Sequence, residues 1–405
     1  MEISHLTTLS YMESIGNKIS GRIPFEFSSL TNLRTMVFAW NKLSGPIPVW
    51  LDRLHKLQYL ILSNNNFSGT IPQDLQALTQ LKMLSLNDNL LDGPLDVVWE
   101  LPNLKHLFLE DNLFTDELPL SISTVVPALV HMDISNNNLV GSIPEDIFDL
   151  AALQILDLHS NGLGGAIPSA NEETGSVLEF VAFQENQLMS TIPTSLSVLS
   201  SLKHLDLSNN NIYGTIPILS SLSELSYLFL AENDFTPGLI PNFLFTFPNL
   251  KELSLKGTQR NGPIPDLFKL LEKLVVLDLD NNQLTGTLPS ELGTLKDLQF
   301  LLLNRNKLSN SVPYQYSGMT SLRMILLNGN DITGSLDPIC QIQSLEVAVS
   351  DCGTTQCSCC KPCCNSTENC HHYDQVASYD PTWATSYERD SFIFSDDHTF
   401  SIPDI

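Results

Sequence analysis

Leucines alternate with polar residues in short stretches along the chain, and each stretch is followed at a fixed distance by an asparagine. Segments such as LQYLILSNNNFSGTIPQDLQAL (57–78) and LVVLDLDNNQLTGTLPSELGTL (274–295) share the pattern LxxLxLxxNxLxGxIPxxLxxL. The asparagines run from Asn17 to Asn330 at intervals of 23 to 25 residues, counting Thr258, which replaces one of them. This period predicts a stack of about 14 coils of 23–25 residues that share one core.

Each part of the pattern has a structural reason. The LxL alternation predicts a short strand whose leucines face inward. The asparagine amide can both donate to and accept from the backbone of adjacent coils, so a column of them predicts a hydrogen-bonded ladder. Glycine occupies the slot four residues after the ladder position in 10 of 14 units and indicates a positive φ there. The proline that follows favours an extended or 3₁₀ return path on the convex side.

The segments SGPIP (44–48), SGTIP (68–72), GSIP (141–144) and TGTLP (285–289) resemble the [SG]GxIP hallmark of plant-type leucine-rich repeats. The likeness covers about residues 6–345 and points to receptor-like kinase ectodomains and secreted leucine-rich-repeat proteins of plants and algae. It implies an α/β repeat solenoid, a right-handed horseshoe or superhelix with one parallel concave β-sheet. It also implies a non-enzymatic binding module for peptides, small hormones or other proteins.

The sequence divides into a solenoid (1–345), a cysteine-rich cap (346–372) and an acidic aromatic tail (373–405). The first coil is partial and lacks the paired-cysteine cap of the resembled class, and no signal peptide or 18-residue apolar run is present. We expect a truncated N-terminus, so any membrane contact would run through a segment absent from this chain. The tail is expected to be disordered or to add an edge strand over the last coil.

All the cysteines fall in the last 66 residues. We predict a disulfide cap formed in an oxidising compartment, with pairs running between different segments, Cys340 reaching forward, and Cys352 in the last ladder position. A metal site is the alternative interpretation. The predicted disulfide cysteines are Cys340, Cys352, Cys357, Cys359, Cys360, Cys363, Cys364 and Cys370.

Two N-x-[ST] triplets, beginning at Asn66 and Asn365, predict glycosylation sites. Together with the cysteines they favour an extracellular or cell-surface protein. An intracellular scaffold is the alternative that the missing signal peptide favours.

The chain has 20 Lys and Arg residues against 45 Asp and Glu residues, a formal charge of −25. An acidic surface repels phosphate groups, which argues against nucleic-acid partners and anionic membranes and favours a cationic or neutral partner. Solubility alone is an equally good reason for such a charge.

The residues six, four, two and one before each ladder position are expected to face the concavity, and acidic residues outnumber basic ones there by 12 to 2. Aromatic rings beside carboxylates suit a protein or peptide ligand that carries Lys or Arg. The alternative is that these side chains simply solvate an exposed sheet. A secreted inhibitor of extracellular hydrolases would use the same face. The predicted ligand-binding residues are Phe108, Asp133, Asp157, Phe180, His204, Asp206, Tyr227 and Phe229.

Two strands place His, Asp and Ser at alternate positions, His131-Asp133-Ser135 and His204-Asp206-Ser208. Such residues would stand about 6.5 Å apart on an open face without an oxyanion hole, so we predict no catalytic residues. The sequence contains no phosphate-binding glycine loop and no HExxH motif, and we predict no cofactor and no metal. Asp278 and Asp280 could bind Ca²⁺ weakly, although a solvated surface is the simpler interpretation.

Overall fold

The computed structural model describes residues 3–171, 177–351, 353–360 and 363–364. Its main feature is one parallel sheet in which Tyr11 pairs with Thr35, and Thr35 with Tyr59, and so on along the stack. This arrangement confirms the predicted leucine-rich-repeat solenoid. The sixteen strands of this sheet are Tyr11–Glu13, Thr35–Val37, Tyr59–Ile61, Met83–Ser85, His106–Phe108, His131–Asp133, Ile155–Asp157, Phe180–Ala182, His204–Asp206, Tyr227–Phe229, Glu252–Ser254, Val276–Asp278, Phe300–Leu302, Met324–Leu326, Val347–Asp351 and Cys363–Cys364.

The return path of most coils is a short 3₁₀ helix, and most of these helices begin directly after the proline of the repeat. Pro72, for example, has φ −69° and ψ 140° just before the helix Gln73–Ala77. The described 3₁₀ helices are Ile3–His5, Phe25–Ser29, Val49–Arg53, Gln73–Ala77, Val98–Glu100, Ile147–Asp149, Thr194–Val198, Asn242–Thr246, Asp266–Leu270, Ser290–Thr294 and Tyr314–Gly318, and two α-helical turns are Ile122–Val125 and Asp337–Cys340.

Between the main sheet and the return path, the segment after the ladder position forms smaller parallel sheets with the adjacent coils. Their strands are Ser20–Gly21, Lys42–Gly45, Asn66–Gly69, Leu90–Gly93, Leu113–Phe114, Gly164–Gly165, Gln187–Leu188, Tyr213–Gly214, Asp234–Phe235, Asn261–Gly262, Gln283–Thr287, Lys307–Asn310, Asp331–Ile332, Gly334–Ser335 and Thr355–Gln356. No described helix is long and apolar enough to cross a bilayer.

The ladder forms as the sequence predicts. The Asn65 amide nitrogen donates to Leu62 O (3.1 Å) and Ser63 O (3.0 Å) in its own coil and to Phe38 O (2.9 Å) in the preceding one. Its oxygen accepts the N–H of Leu43 at 2.9 Å. The same set of bonds recurs at Asn210, so a single buried side chain satisfies several backbone groups in two coils.

At Thr258 the ladder lacks its asparagine, and the side chain of Arg260 supplies hydrogen bonds to carbonyl oxygens nearby. Thr258 donates only through Oγ1, to Leu255 O at 2.6 Å and weakly to Asn282. Arg260 occupies a slot that is Leu, Ile or Phe in other coils and is 3% exposed. Its guanidinium donates to Thr258 O (2.9 Å), Leu239 O (3.4 Å) and Thr236 O (2.5 Å). The charge is thereby buried among carbonyl oxygens of neighbouring coils.

Positive φ angles occur at two places in most coils rather than one. The glycine slot has φ near +80°, as at Gly69. The residue directly before the ladder position also lies in the left-handed region, with φ 57° at Trp40 and 56° at Glu185. Asp116 and Asn310 adopt positive φ in coils where the glycine slot holds another residue.

Among the described residues, the C-terminal end of the solenoid carries the disulfides Cys340–Cys359 and Cys357–Cys360. The first confirms that Cys340 reaches forward. The second lies within one segment, so the expectation of pairs only between different segments is wrong for it. A separation of three residues still lets the chain turn enough to bring the two Cα atoms to 5.5 Å.

In the last coil, Val347 pairs with Met324. The carboxylate of Asp351 accepts the N–H groups of Gly329 (3.1 Å) and Asn330 (3.2 Å) at this end. Outside the described residues lie Cys352, Cys370, Asn365 and the tail 373–405, together with the side chains of Cys363 and Cys364.

Candidate binding surface on the concave face

Parallel in-register pairing turns the sequence slots into straight rows across the concave face. The slot six residues before the ladder position gives the row His106, His131, Ile155, Phe180, His204 and Tyr227. The slot four residues before it gives Phe108, Asp133, Asp157, Ala182, Asp206 and Phe229. We call these two rows the central strip. All eight predicted ligand-binding residues belong to it.

Aromatic and imidazole rings meet at the C-terminal half of the strip. Phe180 stacks on His204 with ring centroids 4.2 Å apart and an interplanar angle of 12°. His204 is also 5.7 Å from the rings of Tyr227 and Phe229. Burial lowers the pKa of His204 to about 3, against an opposing effect of the Asp157 charge, so the imidazole is neutral at physiological pH. These four predicted residues thus form one cluster.

Phe108 lies at the other end of the strip, with its ring 4.6 Å from that of His131 in an edge-on arrangement. Two strands, beginning at His131 and Ile155, lie between the strand of Phe108 and that of Phe180, the first ring of the cluster around His204. Phe108 therefore lies on the same strip as this cluster but apart from it.

The carboxylates of the strip are buried between neighbouring strands. Asp133 and Asp157 are each 2% exposed. Asp133 accepts the hydroxyl and the N–H of Ser135 at 2.6 and 3.1 Å, and Asp157 contacts His159 Nδ1 at 2.5 Å. Their burial differs from the alternative expectation of side chains that merely solvate an open sheet.

Asp206 is the third carboxylate of the strip, and it accepts the N–H of Ser208 at 2.9 Å. Burial raises its pKa to about 6, although the bonds to Ser208 and the charge of His159 act in the opposite direction. A desolvated carboxylate interacts strongly with any cation brought close to it.

The two His-Asp-Ser trios do not have the geometry of a nucleophile and its base. The Ser135 hydroxyl donates to Asp133 at 2.6 Å. In the second trio, His204 is sandwiched between aromatic rings. In the first trio the serine proton is therefore held by the neighbouring carboxylate, whereas in hydrolases an imidazole accepts it.

The candidate metal positions are engaged in other interactions. Asp280 pairs with Arg305, whose Nε donates at 2.9 Å, and Asp278 accepts the Ser254 hydroxyl at 3.0 Å. Among the described residues, the closely spaced group of metal-ligating types is Cys340, Cys357 and Cys359, and all three are in disulfides.

Sequence analysis missed that the concave ribbon has edges of opposite charge. The residue directly before the strand is basic in several coils: Arg34, Lys82, Lys105, Lys203, Lys251 and Arg323. The opposite edge, one residue before the ladder position, is acidic in others: Asp88, Asp111, Glu185 and Glu232. The basic edge could have been recognised in the sequence, because these Lys and Arg residues all stand seven residues before a ladder position.

The concave face also has an apolar zone at each end. Towards the N-terminus, Val37, Ala39, Tyr59, Ile61, Met83 and Phe108 form one cluster. Towards the C-terminus, Val276, Phe300, Leu302, Met324, Leu326 and Val349 form another. The polar and aromatic part of the face therefore lies between two apolar ends.

Comparison with known proteins agrees with this architecture. A family model described as "Leucine rich repeat" matches residues 102–163 and 272–332, and a second of the same description matches 56–78 and 201–223. A search of curated protein sequences finds no match.

The similar solved structures include plant receptor ectodomains. PEPR1 in its complex with AtPEP1 has 31% sequence identity and a TM-score of 0.80, over 88% of this chain and 50% of that chain. The Arabidopsis receptor kinase HAESA, in complex with the peptide hormone IDA and the co-receptor SERK1, has 29% identity and a TM-score of 0.78, over 88% of this chain and 59% of that chain.

The likeness extends to a bacterial protein. A leucine-rich-repeat protein of Leptospira interrogans has 28% identity and a TM-score of 0.66, over 82% of this chain and 87% of that chain. The chain spans only about half the length of PEPR1. It is a leucine-rich-repeat solenoid similar to receptor ectodomains, a fold typical of non-catalytic proteins.

Proposed function

We propose that this chain is a recognition module that binds a peptide or protein ligand on the central strip, outside the cell or at its surface. The observation that carries the proposal is the Phe180–His204–Tyr227–Phe229 cluster beside the buried carboxylates of Asp157 and Asp206. Rings supply contact area at low entropic cost, and desolvated carboxylates favour a basic ligand.

Three further observations support the proposal. PEPR1 and HAESA, which are similar in structure, are described in complexes with AtPEP1 and with the peptide hormone IDA. The disulfides Cys340–Cys359 and Cys357–Cys360 fit an oxidising compartment. Asn66 is exposed, as a glycosylation site in such a compartment must be.

The test begins with selection of displayed random 12-residue peptides on the full chain. The recovered peptides are then measured by fluorescence anisotropy against the double variant Phe180→Ala/Tyr227→Ala. Because both rings are half-buried on the concave face, we expect their removal to weaken binding at least tenfold, about 1.4 kcal/mol.

Tyr314→Ala is the matched control, since this tyrosine is 71% exposed at the start of the convex helix Tyr314–Gly318. It should leave the affinity unchanged. Equal affinities for wild type and the double variant would refute the proposed site. A preference for intact secreted hydrolases over peptides would favour the inhibitor alternative.

A further inference from the structure

Glu252 lies next to the ring cluster, just beyond the central strip. Its strand, Glu252–Ser254, follows Tyr227–Phe229 in the sheet, and Glu252 pairs with Tyr227 on one side and Val276 on the other. The next residue, Leu253, is fully buried in the core. Because strand side chains alternate, Glu252 points to the concave face.

The carboxylate of Glu252 is desolvated without a matching cation. The side chain is 7% exposed, and Oε2 is buried with no hydrogen-bond partner. Lys251 is adjacent in sequence, but its ammonium lies over the Tyr227 ring, 5.6 Å from the centroid and 3.5 Å from the hydroxyl. Within residues 3–171, 177–351 and 353–360, Glu252 takes part in none of the ion pairs.

Asp280 provides the contrast, two residues after the end of the adjacent strand Val276–Asp278. It is 1% exposed and is paired with Arg305. For this buried carboxylate, the chain itself supplies the cation. An unpaired buried carboxylate costs free energy unless it is protonated or finds a partner. Burial raises the pKa of Glu252 to about 7, and the charge of Lys251 only partly offsets this effect.

We infer that Glu252 is the anchor for a cationic side chain, arginine or lysine, of an extended peptide bound on the central strip. This inference rests on the proposed function and adds one specificity-determining residue to it. The arriving cation would complete the hydrogen bonding of the carboxylate. The rings of Tyr227 and Phe229, in the preceding strand, would flank the aliphatic stem and the charged head.

The test uses the most enriched 12-residue peptide from the selection, synthesised with its basic residue intact and with arginine replaced by citrulline or lysine by norleucine. Both forms are titrated against wild type and Glu252→Gln. For the wild type, we expect loss of the cation to weaken binding about tenfold, or about 1.4 kcal/mol. For Glu252→Gln, the two peptides should bind almost equally.

A pH profile separates anchoring from a merely structural role. Since cation binding favours the ionised carboxylate, wild-type affinity for the basic peptide should rise between pH 6 and pH 8. The rise should be much smaller for Glu252→Gln, where Asp206, with a pKa of about 6, still titrates. Glu145→Gln, at an exposed position before the helix Ile147–Asp149, is the control and should behave like wild type.

The outcomes distinguish the two proposals. If wild type binds peptides but the effect of removing the cation is the same in wild type and Glu252→Gln, the anchor is refuted while the recognition function stands. Dependence on a free peptide N-terminus instead of a basic side chain also refutes the anchor as stated. If no peptide is recovered with wild type, the recognition function fails and the anchor with it.

Discussion

Buried acids on this concave face differ in how they are compensated, and the difference lies in single residues. Asp133 receives two bonds from Ser135, and Asp280 receives the guanidinium of Arg305. Glu252 receives neither, and its pKa is raised to about 7 by burial. The acid-rich slots were evident in the sequence. The sequence does not show which of these acids is left without a cation, because that depends on the direction of neighbouring side chains. Lys251, for example, points towards the Tyr227 ring.

The stability of the chain should reflect this carboxylate. A folded-state pKa of about 7 lies above the ordinary value of 4.5, so the folded state holds the proton more tightly than the unfolded state. The stability that this provides is present below about pH 4.5 and is lost as the pH rises through about 7. Glutamine does not titrate, so Glu252→Gln should not show this loss of stability at higher pH.

We therefore expect Glu252→Gln to gain stability relative to wild type between pH 4.5 and pH 8, by about 1 to 3 kcal/mol. Urea denaturation of both proteins at the two pH values measures the difference. The other shifted groups, including Asp206, Asp278 and His204, are common to both proteins and cancel. A difference that does not change with pH would contradict a raised Glu252 pKa.

At the scale of the coil, the ladder asparagine is the element that the sequence predicts best. Its spacing is regular because the same buried bonds must form in each coil, as at Asn65 and Asn210. The coil without asparagine could not be predicted in the same way. Arg260 occupies a slot for apolar residues, and only the positions of three carbonyl oxygens around it explain why a charge is tolerated.

Asn210→Ala should destabilise the solenoid strongly. It removes donations to Phe183, Leu207 and Ser208 and exposes the N–H of Leu188 to an apolar surrounding. Unsatisfied buried groups cost about 1 to 3 kcal/mol each, so we expect a loss of about 2 to 4 kcal/mol in urea denaturation. The neighbouring Asn211 is exposed, and Asn211→Ala should change stability by less than about 0.5 kcal/mol. Similar losses for the two variants would show that the ladder does not contribute as described.

The whole molecule combines a uniform interior with a zoned surface. Stacked leucines and the ladder are the same in most coils, and this regularity is why the fold could be predicted from periodicity alone. The concave face instead changes from apolar to polar to apolar along its length and from basic to acidic across its width. These zones come from residues that the repeat leaves free, so their meaning emerges only when the register places them side by side.

A crystal structure of the full chain with a selected peptide tests this account most directly. We predict that the peptide lies along the concave face over the strands from His106–Phe108 to Glu252–Ser254. It should contact the rings of Phe180 and Tyr227 and place a basic side chain against Glu252. A peptide bound to the convex helices, or on the concave face without contact to these rings, would contradict the account.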